Sequence, residues 1–213
     1  MQENRFGAKS KVGVMREQAP QRWVLASHNL HKAAELGQML GPDRVELMTL
    51  AQLQITEVPD ETGNTFRENA LIKAQAAYAA SNLPALADDS GLEVEALNGL
   101  PGVHSARFAG PKATDVENVQ LLLKRLTNQG NRRARFVCVL CLWNGKEATY
   151  WEGRVEGKIL EAPRGQHGFG YDPVFEAQEI PGRSLAEIDP AKKNEISHRA
   201  AAVQSMLASL TAI

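Results

Sequence analysis

The chain has little of what marks a secreted, membrane-bound or nucleic-acid-binding protein. Cysteine occurs twice, at Cys138 and Cys141, both inside the apolar run RFVCVLCLW. A redox or zinc C-x-x-C is flanked by turn residues or opens a helix, whereas this one lies in an expected strand. Residues three apart on a strand face opposite sides of a sheet, so the pair reads as core. No disulfide and a reducing compartment, the cytoplasm, are the expectation. Charge of one sign is missing as well: 24 Lys and Arg stand against 25 Asp and Glu. Such a balance leaves no general field to draw in nucleic acid or anionic lipid. No apolar run approaches the roughly 20 residues of a membrane span. The N-terminus lacks the apolar core of a secretory signal. Residues 1–21 are polar and aperiodic, with Arg5, Lys9, Lys11 and Arg16 against Glu3 and Glu17. They are expected to form a flexible tail, or to precede a true start at Met15. Two phosphate signatures are also missing: there is no G-x-x-x-x-G-K-[ST], and no G-x-G-x-x-G follows the first expected strand. The five histidines form no metal set; His28 and His31 share one turn without acidic or cysteine companions.

What remains is ordinary globular composition, 43% hydrophobic and 23% charged, enough for one domain over 22–213. RWVLAS reads as a buried first strand, followed after SHNLHK by an amphipathic helix that ends near Gly41-Pro42. RVELMTL alternates as a second strand. FRENALIKAQAAYAAS is the clearest helix, with Phe66, Ala70, Ala74 and Ala77 at helical spacing. LADDSGLEV is expected to be a strand, a turn at Ser90-Gly91, and a further strand. A long Gly/Pro-rich loop precedes Thr114 and Glu117, which make a capping box. Two long strands joined at NGK form a hairpin. Asp189-Pro190 and Ser197 read as helix starts. Helices and strands mix without strict alternation, which indicates an α/β fold with a mixed sheet.

Several stretches carry chemistry. SHNLHK lies at the turn from first strand to first helix, where backbone N–H groups can meet an anion; Ser27 and Asn29 offer hydrogen bonds and Lys32 a charge. The bland reading is a turn and a cap. Asp88 and Asp89, with PDETG upstream, are hard oxygen ligands of the kind Mg²⁺ takes, or else turn residues. GFGYDP suits a loop on which a flat base stacks, or one that packs its own aromatics. KKNEISHR puts His198 and Arg199 at a helix start, where cations oppose the dipole. Facing an anion or polar ligand would relieve that; Lys192 reads as solvated.

SHNLHK, ETGNTFRENALIKA, LADDSGLEVEALNGLPGVHSARFAG, GFGYDPVF and KNEISHR stand in the order and spacing of the inosine triphosphate pyrophosphatase family, which the chain resembles from about Arg22 to Leu210. These enzymes hydrolyse ITP, dITP and XTP to the monophosphate and pyrophosphate. The resemblance implies a long mixed twisted sheet flanked by helices, two lobes around a central active-site cleft, a homodimer and dependence on Mg²⁺. It assigns Ser27, His28, Asn29, Leu30, His31 and Lys32 to the triphosphate, together with Lys73. Glu61 and Asp89 would be Mg²⁺ ligands, Asp89 also the general base, and Ser90 a substrate contact. Phe169, Gly170, Tyr171 and Asp172 would line the base and sugar pocket, the phenyl ring stacking on the purine. Lys193, His198 and Arg199 would meet the base edge. Many members carry glycine where this chain has His31, so its phosphate loop is bulkier. On this reading, magnesium, bound together with the triphosphate, is the cation that neutralises the adjacent acids Asp88 and Asp89. A Maf-like nucleotide pyrophosphatase of other base preference, or a nucleotide-sensing module without turnover, are the alternatives. Neither nucleic acid nor membrane is an expected partner.

Overall fold

A computed structural model describes residues 20–57 and 59–210. The expected tail lies outside them up to residue 19, and Gln21 already belongs to the first strand. Six strands make one sheet in the order β2-β1-β3-β4-β5-β6: β1 (Gln21–Leu25), β2 (Val45–Thr49), β3 (Ala85–Val94), β4 (Arg133–Trp143), β5 (Ala148–Ile159) and β6 (Phe175–Ala177). β1 pairs in parallel with β2 and β3, and β3 through β6 run antiparallel. The mixed sheet follows from the connections. Helices α1 (Leu30–Leu40) and α2 (Phe66–Ser81) carry the two parallel crossovers, while a tight turn at Asn144–Lys146 closes the β4–β5 hairpin.

The side-chain period of two divides β3 between two helical layers. Leu86 packs with Trp23, Leu36, Leu140 and, from α5 (His198–Leu210), Met206. Its neighbours Ala85 and Ala87 pack on the other face with Val24, Phe66, Ala70 and Ala74. A third cluster, around Leu92, Leu122, Phe136, Val155 and Phe175, forms the second lobe under α3 (Asp115–Arg125). Cys138 joins the α5-side cluster and Cys141 the α2-side one, both buried and free. Among the described residues no helix is long and apolar enough to cross a membrane.

The turn expected at Ser90-Gly91 does not form. Both residues stay in the ladder, opposite Cys138 and Val137, and β3 runs unbroken for 10 residues. Gly91 serves a close approach instead. A Cβ there would lie 2.4 Å from the Gly102 carbonyl oxygen and 2.5 Å from Ser105 Oγ, so only glycine lets the short 3-10 segment Gly102–Arg107 lie on the strand. That segment orders what reads in the sequence as plain loop, and a second one at Glu95–Leu97 stands where the alternating run LEVEAL reads as strand.

Candidate functional site

Asp88 and Asp89 are neighbours in the chain but point to opposite faces of the sheet. On the α5 face, Asp88 has no exposed side chain. Its Oδ1 accepts from Lys32 Nζ at 2.5 Å and from the Ser90 hydroxyl; its Oδ2 accepts from Arg199 Nε at 2.7 Å and the Cys138 thiol at 3.3 Å. Burial opposes its ionisation, yet the Arg199 and Lys32 cations outweigh burial and hold the carboxyl well below the usual aspartate range. Burial, with the Asp88 charge beside it, pushes the Cys138 thiol well up. On the α2 face, Asp89 Oδ1 accepts from Lys73 Nζ at 2.6 Å. Its Oδ2 is buried without a hydrogen-bond partner among the described residues. Burial raises the Asp89 pKa, only partly countered by Lys73. The two acids are thus tolerated for separate reasons, and neither needs a shared cation, contrary to the expectation from their adjacency.

Lys73 gathers the α2 side. Besides Asp89 it donates to Glu61 Oε1 at 3.1 Å and to the Asp88 carbonyl at 2.8 Å. Burial disfavours its charge, but Asp89 and Glu61 more than restore it, and its pKa rises. Arg107, from the 3-10 segment over Gly91, donates to Glu61 Oε2 at 2.8 Å. Against burial, Lys73 and Arg107 together lower the Glu61 pKa.

The loop before α1 is built around its own helix start. Asn29 is the N-cap, its Oδ1 accepting from the N–H groups of His31 and Lys32, while Ser27 Oγ accepts from the Asn29 N–H. Three amides that could meet an anion are thereby engaged internally. His28 Nε2 lies 3.1 Å from the Ile55 carbonyl oxygen, and Leu30 is exposed.

Across the cleft, the C-terminal elements bring Lys193 of α4 (Pro190–Ile196) beside His198 and Arg199 of α5. Ser197 Oγ accepts from the Ala200 N–H between them. All three are buried. The cations at the α5 start are matched by carboxylates: Glu35 of α1 accepts from Arg199 and, at 3.0 Å, from Lys193, and Asp172 accepts from Lys193 at 2.7 Å. His198 stacks on Phe136 at 4.8 Å, its Nδ1 lacking a partner among the described residues. Burial first, then the Arg199 cation, hold its pKa well below the ordinary histidine value, so the imidazole is neutral at neutral pH. The loop carrying Phe169 is pinned by Asp172 Oδ2, which accepts the Phe169 N–H at 2.9 Å, and by Asp115 Oδ2, which accepts the Gly170 N–H at 2.7 Å. At Gly168, φ is +76° and a Cβ would strike Asp172 Oδ2. Tyr171 is buried, its hydroxyl donating to the Ser105 carbonyl at 2.9 Å.

Two cavities adjoin in this cleft. One, of about 360 Å³, is lined by Ser27, His28, Asn29, Lys32, Glu61 and Lys73. The other, of about 140 Å³, is lined by Ser90, Phe169, Asp172, Lys193, His198 and Arg199 among others. Asn29, Lys32 and Ala106 line both and mark the junction. Asp89, Leu30 and His31 line neither; Asp89 sits behind Lys73.

The family model described as Ham1 family matches residues 23–209. The chain belongs to the Ham1 family. A dITP/XTP pyrophosphatase from Aromatoleum aromaticum is 47% identical over 193 residues, covering 89% of this chain and 96% of that protein. The dITP/XTP pyrophosphatase of Bacillus subtilis is 42% identical over 186 residues, 86% and 93% of the two chains. Among solved structures, a HAM1 protein from Coxiella burnetii superposes with a TM-score of 0.81 at 42% identity, over 91% of this chain and all of that one. In this Ham1 chain, sequence reasoning missed Glu35 and Arg107. Glu35 sits three residues after Lys32 on the same helix face, the one signal that could have found it. Arg107 lies in a stretch read as loop, and nothing local distinguishes it.

Proposed function

We propose that this chain hydrolyses dITP, ITP and XTP to the nucleoside monophosphate and pyrophosphate, as a cytoplasmic homodimer dependent on Mg²⁺. The observation that carries the reading is the junction of two unlike cavities at Lys32. The larger holds lysines and carboxylates suited to a triphosphate and a hard cation; the smaller holds an aromatic face and buried donors suited to a purine. Relatives named for dITP and XTP support the choice of base.

Glu61 and Asp89 would hold the metal. Both bind one ammonium, that of Lys73, so the place already accommodates positive charge, and Asp89 Oδ2 is an unpartnered buried oxygen. When bound, Mg²⁺ supplies charge that offsets the phosphate oxygens. Asp89 is the carboxylate assigned to take the proton of the water that attacks the α-phosphorus. Lys32 and Lys73 offset charge on the departing pyrophosphate. Phe169 stacks on the purine. Arg199 spends three of its five N–H donors on Asp88, Glu35 and Ser90, and Lys193 two of its three on Glu35 and Asp172. The remaining donors suit the 6-oxygen of hypoxanthine or xanthine. Adenine presents an amino group there, which would leave them unpaired.

The test is incubation of ITP with protein and Mg²⁺, reading pyrophosphate against orthophosphate, with kcat/KM for XTP, GTP and ATP alongside. One pyrophosphate per ITP, loss on chelation with return on adding Mg²⁺, and weak turnover of ATP and GTP are expected. Orthophosphate as the product, or equal rates on ITP and ATP, would overturn the reading. Sedimentation of the native protein checks the dimer.

A further inference from the structure

His31 is the second residue of α1, and helical side chains lean toward the helix N-terminus. Its exposed ring therefore projects from the first lobe across the cleft, where it stacks on Phe169 with centroids 5.3 Å apart and planes at 17°. Phe169 lines the smaller cavity and His31 does not. Lys193 Nζ, which also lines that cavity, stands 4.6 Å from the centre of the Phe169 ring. We propose that His31 is a positioning residue for the purine: its imidazole covers the outer face of Phe169 and holds that ring toward the base cavity. Half-buried Phe169 sits on a loop whose backbone is pinned at Phe169 and Gly170, but pinning the backbone does not fix the ring; the His31 stack adds to the Lys193 contact in doing so.

The inference rests on the reading that a base stacks on Phe169. It makes His31 act on the base although it is a neighbour of Lys32 in the phosphate loop. The experiment separates those roles with the intact protein: kcat and KM for ITP, and the inhibition constant of inorganic triphosphate, which has no base. Wild type, His31→Ala, His31→Phe and Phe169→Ala are compared. His31→Ala should raise KM for ITP about three- to tenfold, the worth of one aromatic pair, with kcat and the triphosphate constant unchanged. His31→Phe should restore the wild-type KM. A triphosphate constant that rises along with KM would place His31 in phosphate binding and overturn the inference. So would an unchanged KM in His31→Ala while Phe169→Ala raises it. If Phe169→Ala also leaves KM unchanged, the base-stacking reading itself fails, and the inference with it.

Discussion

Replacing Asp88 by asparagine keeps the shape of the side chain and removes its charge, and it should destabilise the fold. Arg199 is 1% exposed and Asp88 has no exposed side chain, so the ion pair between them is fully desolvated. Breaking such a pair by removing one partner costs about 3–5 kcal/mol, because the other charge stays buried. Two features place this case at the lower end. Arg199 keeps Glu35, and Lys32, at 16% exposure, can turn toward water. A loss of about 3 kcal/mol in a chain of this size corresponds to a fall in Tm of roughly 6–12 °C. The asparagine also turns one oxygen into an NH₂ group facing either Lys32 or Arg199, which adds a clash of donors. The same stability should be present at every pH above the unfolded aspartate value, about 3.9. It should disappear only as pH falls through the depressed folded value. Thermal unfolding followed by circular dichroism, wild type against Asp88→Asn at pH 7, measures it. A Tm within about 2 °C of wild type would show that the buried pair is not the anchor described.

Asp89→Asn should do the reverse: Lys73 retains Glu61 and the Asp88 carbonyl, so Tm should move by only a few degrees, while turnover of ITP falls by about 10²–10⁴-fold. Activity within tenfold of wild type would remove Asp89 as the base. His198 supplies a pH signature, because its folded pKa is depressed and the unfolded chain takes up a proton that the folded chain refuses. Stability should be complete above about pH 6.5 and decline below it by about 1.4 kcal/mol per pH unit. His198→Gln should flatten that slope, and an equal slope in both proteins would contradict a buried neutral imidazole.

Much of this architecture is written in short-range patterns. Phe66, Ala70, Ala74 and Ala77 stand at helical spacing and are the buried stripe of α2. Thr114 and Glu117 make both halves of their capping box. Cys138 and Cys141 fall on opposite faces as a strand requires. The signals that misled were equally local. Ser90-Gly91 has turn composition, but its glycine is dictated by Ser105 and Gly102 packing onto it from beyond the strand. Asp88 and Asp89 look like a pair to any reading that equates adjacency with contact, whereas the pleat sends them apart. Glu35 and Arg107 stayed unread because their partners lie far off in the chain, Lys193 and Arg199 for one and Glu61 for the other. No window of sequence contains both ends of such a bond.

The route by which Asp88 acquires its two cations also sets when the site can exist during synthesis. Lys32 leaves the ribosome before Asp88, so both partners of that contact are present once Asp88 has emerged, across 56 residues. Arg199 follows Asp88 by 111 residues and emerges well after the β4–β5 hairpin. Until α4 and α5 emerge, Glu35 lacks its cations Lys193 and Arg199, and Leu140, Cys138 and Trp151 lack the α5 residues Ala202, Val203 and Met206 that cover them. A nascent chain halted after the β4–β5 hairpin therefore carries the loop before α1 and a bare hydrophobic sheet face, with Asp88 paired to Lys32 alone between them. Chaperone contact and proteolysis should concentrate on that interval, and nucleotide turnover should begin only once α5 is in place.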